Sequence, residues 1–175
     1  MILNISRMFC VAAACMVGGS AFAQESNNRV AANTDWSVFT EDNPKECWAV
    51  SAPKETVNTK DGKTVAVRRG EILLMVFYRP GASVKGQVAF TGGYPFASGS
   101  TAEMNVSGTK FQLFTEGEWA WPATPQDDAK IVAAMKRGAD ATLTARSGRG
   151  TQTADKFSLL GFTAAEEDAA KRCAG

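Results

Sequence analysis

Four sets of side chains in this sequence sit at spacings that chemistry could use. Asp127 and Asp128 are adjacent carboxylates to weigh as metal ligands. Glu116 and Glu118 would share a strand face as an acid–base pair. Tyr78 and Tyr94 offer phenols, and Gly148-Arg149-Gly150 is a glycine-rich turn to weigh as a phosphate loop. None completes a constellation. Adjacent residues on a helix point in different directions, so Asp127-Asp128 reads better as negative charge at a helix start. Glu116 and Glu118 read better as the solvated edge of a hairpin. The tyrosines come without a nucleophile system, and Gly148-Arg-Gly150 lacks the glycine spacing and helix start of a phosphate loop. The chain has no histidine. That removes the commonest neutral-pH general base, every histidine-based triad and the usual zinc sites. The expectation is no catalytic residue, no metal ligand and no cofactor.

The cysteines divide into two pairs. Cys10 and Cys15 fall in Met1 to Ala23, where Arg7 precedes an apolar run, Met8 to Val17, and Ala21-Phe22-Ala23 ends in small residues before Gln24. This is the pattern of a secretory signal peptide, too short in its core to stay as an anchor. Ala-Ala-Ala-Cys15 bears only a faint likeness to a lipoprotein cleavage site. Residues 24–175 then carry two cysteines, Cys47 and Cys173, which in an exported protein form a disulfide. Closing so long a loop constrains the unfolded chain by roughly 4–5 kcal/mol in theory. Without Cys-x-x-Cys spacing the pair is a staple rather than a redox centre. The expected location is the periplasm, or secreted to the outer surface. Basic and acidic residues number 19 and 18, and the two balance once Arg7 is gone. Wholesale capture of nucleic acid or an anionic membrane is therefore not expected. No further apolar run is long enough to form an integral membrane segment.

The elements that would position these residues centre on Glu71-Ile-Leu-Leu-Met-Val-Phe-Tyr-Arg79, bracketed by Arg68-Arg69-Gly70 and Pro80-Gly81. Apolar residues at odd and even positions predict a strand covered on both faces, by sheet and sheet or by sheet and helix. Residues 24–34 read as a flexible leader and 35–175 as one β-rich domain. Further strands are expected at Trp36–Thr40, Glu46–Ala52, Thr64–Arg68 after an Asp61-Gly62 turn, Gln87–Thr91, Ala102–Val106, Lys110–Phe114 and Glu118–Trp121. Thr124 and Pro125 start a helix that Lys136-Arg137-Gly138 ends. Strands over Ala139–Ser147 and Thr153–Leu160 follow. Thr163-Ala-Ala-Glu166 reads as a capping box opening a last helix, with Ala165, Ala169 and Cys173 on one face. The fold class is all-β, an antiparallel β-sandwich-like domain with two short helices, one mid-to-late and one C-terminal.

Functional hints come from aromatics and arginines. Tyr94 and Phe96 in the glycine-rich loop, Trp119 and Trp121 before Pro122, and Arg146 and Arg149 are candidates for a partner-binding surface, because aromatics with arginine make hot spots. The plainer reading packs the aromatics into the core. Arg68-Arg69 and Lys136-Arg137 are expected to be solvated turn ends.

Pro44-Lys-Glu-Cys-Trp-Ala-Val50, Met135-Lys-Arg-Gly138 and Phe157-Ser-Leu-Leu-Gly-Phe-Thr-Ala-Ala165 resemble the invasion-associated locus B family of exported bacterial proteins. The resemblance covers essentially everything after the signal. It implies a small sandwich-like domain in the periplasm or at the outer surface, linked in some members to entry into host cells. It supplies no catalytic residues. Many relatives carry another cysteine pair in mid-domain, where this chain has Gly92-Gly-Tyr-Pro-Phe-Ala-Ser-Gly99. The functional expectation is a non-catalytic protein acting by contact with a protein partner, in the envelope or on a host surface. The alternatives are a carrier of a small apolar ligand and a small carboxylate enzyme.

Overall fold

The computed structural model describes residues 28–174. The signal peptide and residues 24–27 of the expected leader lie outside them. Along the described chain run β1 (Arg29–Asn33), β2 (Trp36–Asp42), β3 (Lys45–Ser51), β4 (Glu55–Lys60), β5 (Lys63–Thr64), β6 (Leu73–Arg79) and β7 (Val84–Thr91). They are followed by β8 (Thr101–Val106), β9 (Thr109–Glu116), β10 (Trp119–Trp121), α1 (Pro125–Met135), β11 (Asp140–Arg146), β12 (Gln152–Ser158) and α2 (Phe162–Arg172). The strands form one antiparallel sheet in the order β1-β2-β3-β6-β7-β10-β9-β8-β11-β12-β4-β5.

This sheet folds back on itself without closing into a barrel. Phe90 of β7 meets Phe157 of β12 edge to face, with ring centroids 6.2 Å apart. Trp36 on β2 donates its indole N–H to the Ser158 carbonyl at 2.9 Å. Strand alternation sends Leu74, Val76, Val88, Phe90, Met104, Leu143 and Phe157 into the common core, all fully buried. The antiparallel, sandwich-like reading therefore holds, with a helix in mid-chain and one at the C-terminal end.

Both helices seal the interior. α1 begins as expected: Pro125 occupies its first turn and the Thr124 hydroxyl accepts the Asp127 N–H at 3.2 Å. Ile131 and Met135 point inward. Gly138 does not end this helix through a left-handed turn. It permits a close approach, since a Cβ there would lie 2.9 Å from Val106 Cγ1.

The capping box expected at Thr163–Glu166 does not form. Gly161, at φ +89°, is the N-cap of α2, no side chain caps it, and Thr163 already lies inside the helix. Only glycine fits there, because a Cβ would fall 1.9 Å from the Asn33 carbonyl oxygen. Glu166 instead faces inward with Phe162, Ala165 and Ala169, and the short Ala165 and Ala169 side chains let α2 lie on β2 and β3. Cys173 then bonds Cys47 across a sequence separation of 126 residues.

Three further expectations change. Residues 29–33 are strand rather than leader, because they pair with β2. The returning strand expected at Thr64–Arg68 stops at Thr64, and Val65 adds only one N–H bond to the Asn58 carbonyl. The polar segment before it contains β4, which pairs with β12 from Gln152 to Lys156. Finally, β6 is central, but only one face meets the core. Its other face carries Leu73, Met75 and Phe77 with neither described helix over it, because α1 and α2 both pack on the inner side.

The disulfide generates a stability prediction. Replacing both Cys47 and Cys173 by alanine should lower the free energy of unfolding by about 2–5 kcal/mol. Urea titration of the two proteins measures it, and thiol labelling of the folded wild type should find neither Cys47 nor Cys173 reactive.

Candidate functional site

Two surfaces gather the residues singled out above, one at the β4–β5 end of the sheet and one on its outer face. The first is built on Arg69. Arg68 and Arg69 are neighbours in sequence with opposite fates: Arg68 is exposed, whereas the Arg69 side chain is 6% exposed. On β12, alternation turns Thr153, Asp155 and Phe157 inward, which buries the Asp155 carboxylate completely. Arg69 meets it in a two-pronged pair, Nη1 to Oδ1 at 2.7 Å and Nη2 to Oδ2 at 2.6 Å. Nε donates to the Gly92 carbonyl at 2.8 Å, and Nη1 also to Asn58 Oδ1 at 3.2 Å. Burial pushes the Asp155 carboxyl above its ordinary range, and the two guanidinium bonds pull it back.

Tyr94 completes this floor. Its ring lies 5.0 Å below the Arg69 guanidinium, and its hydroxyl is 2.6 Å from Thr153 Oγ1. Burial raises the Tyr94 phenol pKa, against the Thr153 bond and Arg69. Gly93 is required here, since a Cβ would sit 2.6 Å from the Gly70 carbonyl oxygen. Above the floor opens a cleft of about 580 Å³, with Ala66, Val67 and Arg68 on one wall and Pro95, Gly148 and Arg149 on the other. Glu118 also lines it.

The second surface is the outer face of β2, β3, β6, β7 and β10. Register places Phe39, Trp48 and Phe77 side by side. Phe39 stacks on Trp48 with centroids 5.6 Å apart, and Trp48 lies 6.1 Å from Phe77. The Arg79 guanidinium covers Phe77 at 4.3 Å and is held by Glu46 at 3.1 Å. Ala120 points to the core, so Trp119 and Trp121 project outward. Ala89 is too small to fill the space beside them. The result is a recess of about 300 Å³ walled by Phe77, Trp119 and Trp121, with Arg79 and Gln87 also lining it. A second recess of about 460 Å³ shares Gln87 and Trp121 and adds Phe114. Trp119 is 41% and Phe114 55% exposed.

The six candidate contact residues thus do not form one patch. Tyr94 and Arg149 line the cleft, while Trp119 and Trp121 belong to the outer face. Phe96 is in the core against Phe90, with centroids 6.0 Å apart. Arg146 is exposed and lines neither surface. Glu118 is the one carboxylate residue lining the cleft, and Asp128 the one lining the 460 Å³ recess. Asp127 bonds Thr124 and Lys130, which lower its pKa, whereas burial raises that of Asp128. Asp128 accepts the Val88 N–H at 2.8 Å, a backbone donor that the short β10 does not reach. Among the described residues no group of three or more histidine, cysteine, aspartate or glutamate side chains could hold a metal ion. No described helix is long and apolar enough to cross a membrane.

Arg69 and Lys136 correct the expectation of solvated turn ends. Lys136 Nζ lies 2.6 Å from Glu166 Oε2, and the Tyr78 hydroxyl donates to Glu166 Oε1. This inward carboxylate therefore ties the end of α1 to α2 and β6. Asp155 left a trace in the sequence: a carboxylate at an inward position of an alternating strand needs a buried cation. Nothing local pointed to Arg69, 86 residues earlier.

Fold and surface together define a disulfide-closed antiparallel sheet domain with two recessed surfaces. Residues 36–170 match the family described as Invasion associated locus B (IalB) protein, and the chain belongs to that family. The family is an exported bacterial one associated with invasion, and the disulfide fits a place outside the cytoplasm. Comparison with curated proteins and with solved structures gives no match.

Two predictions test this interior. Arg69→Met leaves the Asp155 carboxylate buried and unpaired, and should cost about 3–5 kcal/mol. The double variant R69M/D155L should recover much of that in the same urea titration. Stability should also fall as pH rises above 10. Burial and Glu166 raise the Tyr78 pKa above its ordinary 10.0, and Glu166 raises that of Lys136 above 10.5. The unfolded chain therefore releases these protons first, and the folded state loses ground with rising pH. Unfolding free energy measured against pH should fall less steeply in Y78F and K136M.

Proposed function

We propose that this protein is a non-catalytic binding protein of the periplasm or outer surface, acting by contact with a protein of the envelope or of a host cell. The observation that carries the reading is the aromatic outer face of β3, β6, β7, β10 and β9. A sheet face bearing Phe77, Trp119, Trp121 and Phe114, rimmed by Arg79, has the composition of an interface centre. The recess over Ala89 suits one apolar anchor side chain of the partner. Met75 and Ala89, buried on this face though outside the main core, give it a rigid base. Membership of the invasion-associated family supports a role in invasion, and that family is not a known enzyme family.

The test uses the oxidised protein as bait for defined envelope and host-surface fractions. W119A/W121A should keep its melting temperature, because both side chains stand outside the core. Capture should fall about tenfold or more if these tryptophans are hot spots. Unchanged capture by the double variant would remove the outer face from the reading. Phe96→Ala is a core substitution and should lower stability rather than test contact.

A further inference from the structure

The cleft over Arg69 and Tyr94 has features the outer face lacks. Val65 gives its N–H to Asn58, and Gly70 gives its own to Gly93 at 2.8 Å. Between them, Ala66, Val67 and Arg68 make no backbone–backbone hydrogen bond among the described residues, and the chain there has neither turn nor bend. All three are exposed. Straight backbone with free N–H and C=O groups, continuing a sheet-edge strand, is a template for another strand.

The opposite wall offers no such template. Gly148 donates to Pro95 at 2.9 Å and Gly150 to Ser147 at 2.8 Å, so that turn is largely satisfied internally. It supplies charge instead. The Arg68 and Arg149 side chains form no hydrogen bond or ion pair with described residues, while the Arg69 charge is neutralised by Asp155. Glu118 is the one carboxylate among the side chains lining the cleft and offsets part of this field. Val67, Pro95 and the Tyr94 ring add an apolar lining.

We infer that the cleft is a strand-addition site for an extended acidic peptide segment of a partner protein. The peptide pairs its backbone with Ala66–Arg68 and sets its carboxylates against Arg68 and Arg149. Three extended residues span about 10 Å, so a short segment fills the site. Peptide carbonyls and N–H groups supply the affinity, and the arginines select for acid over base. The floor is fixed beforehand by the Arg69–Asp155 pair, which lowers the ordering cost of binding. This goes beyond the aromatic face and stands or falls separately from it.

Fluorescence anisotropy with a labelled Glu-Val-Asp-Val-Glu peptide and the full oxidised protein tests the site. The acidic peptide should bind and a Lys-Val-Lys-Val-Lys counterpart should not. R68E/R149E should weaken binding roughly tenfold or more, as the sum of two exposed ion pairs made repulsive. E118Q should tighten it, and R137E, a charge reversal just after α1 at the opposite end of β11, should leave it unchanged. An acidic peptide N-methylated at alternate residues loses its donors and should bind at least tenfold more weakly. Equal binding of the methylated peptide would overturn strand pairing. Equal loss in R137E would reduce the effect to general electrostatics, and failure of the acidic peptide to bind would overturn the site.

Discussion

The contact between α2 and the inner face of β2 and β3 holds the remainder in place. A sheet that folds over without closing leaves an open mouth, and α2 covers it with Phe162, Ala165 and Ala169. Trp36 meets Phe162 edge to face at a centroid distance of 4.8 Å. The Cys47–Cys173 bond fixes the far end of that helix to β3. Since β3 neighbours β6, the same bond holds the strands whose other sides form the aromatic face. Inner packing and outer surface are two sides of one set of strands. A shift of β3 by one residue would turn Trp48 inward and Cys47 outward.

The two buried carboxylates do different work. Asp155 is paired with a guanidinium that also reaches Gly92 and Asn58, so it joins β12, β4 and the glycine loop, segments with no local reason to meet. Buried pairs of this kind contribute little net stability, because desolvation offsets the attraction. The penalty falls on breaking them, since losing one partner leaves the other charge buried and unpaired. Glu166 links α1, α2 and β6 by the same logic, with a phenol and an ammonium as partners.

Much of this was legible in the sequence wherever the controlling forces are local. Alternation at Ala102-Glu-Met-Asn-Val106 and at Ala141–Ala145 predicted inward and outward sides that hold in the fold. Thr124-Pro125 marked a helix start for reasons of backbone geometry, and the pairing of Cys47 with Cys173 followed from these being the two cysteines beyond the expected signal segment. The failures were where distant residues decide. Thr163–Glu166 fits a capping box, yet the approach of Asn33 to Gly161 starts the helix earlier and turns Glu166 inward. Val65–Arg68 has strand propensity, but with Arg69 bonded to Asp155 the pairing with β4 ends after Val65. Arg68 and Arg69 are alike in type and adjacent, so nothing local separates them. The aromatic candidates separated because Trp119 and Trp121 obey strand parity, whereas a loop held down by Gly70 and Gly93 puts Tyr94 in the cleft and Phe96 in the core.

An unclosed sheet has two ends, and their construction bears on how the molecule behaves in a crowd. At one end β5 is only two residues long and includes Lys63; at the other, the pairing of β1 is irregular between Arg29 and Ala31. Short, charged or irregular borders do not stack readily into ribbons. The two-residue β5 and the irregular β1 thus give a second copy little border to pair with, whereas the Ala66–Arg68 stretch after β5 stays open to a short peptide.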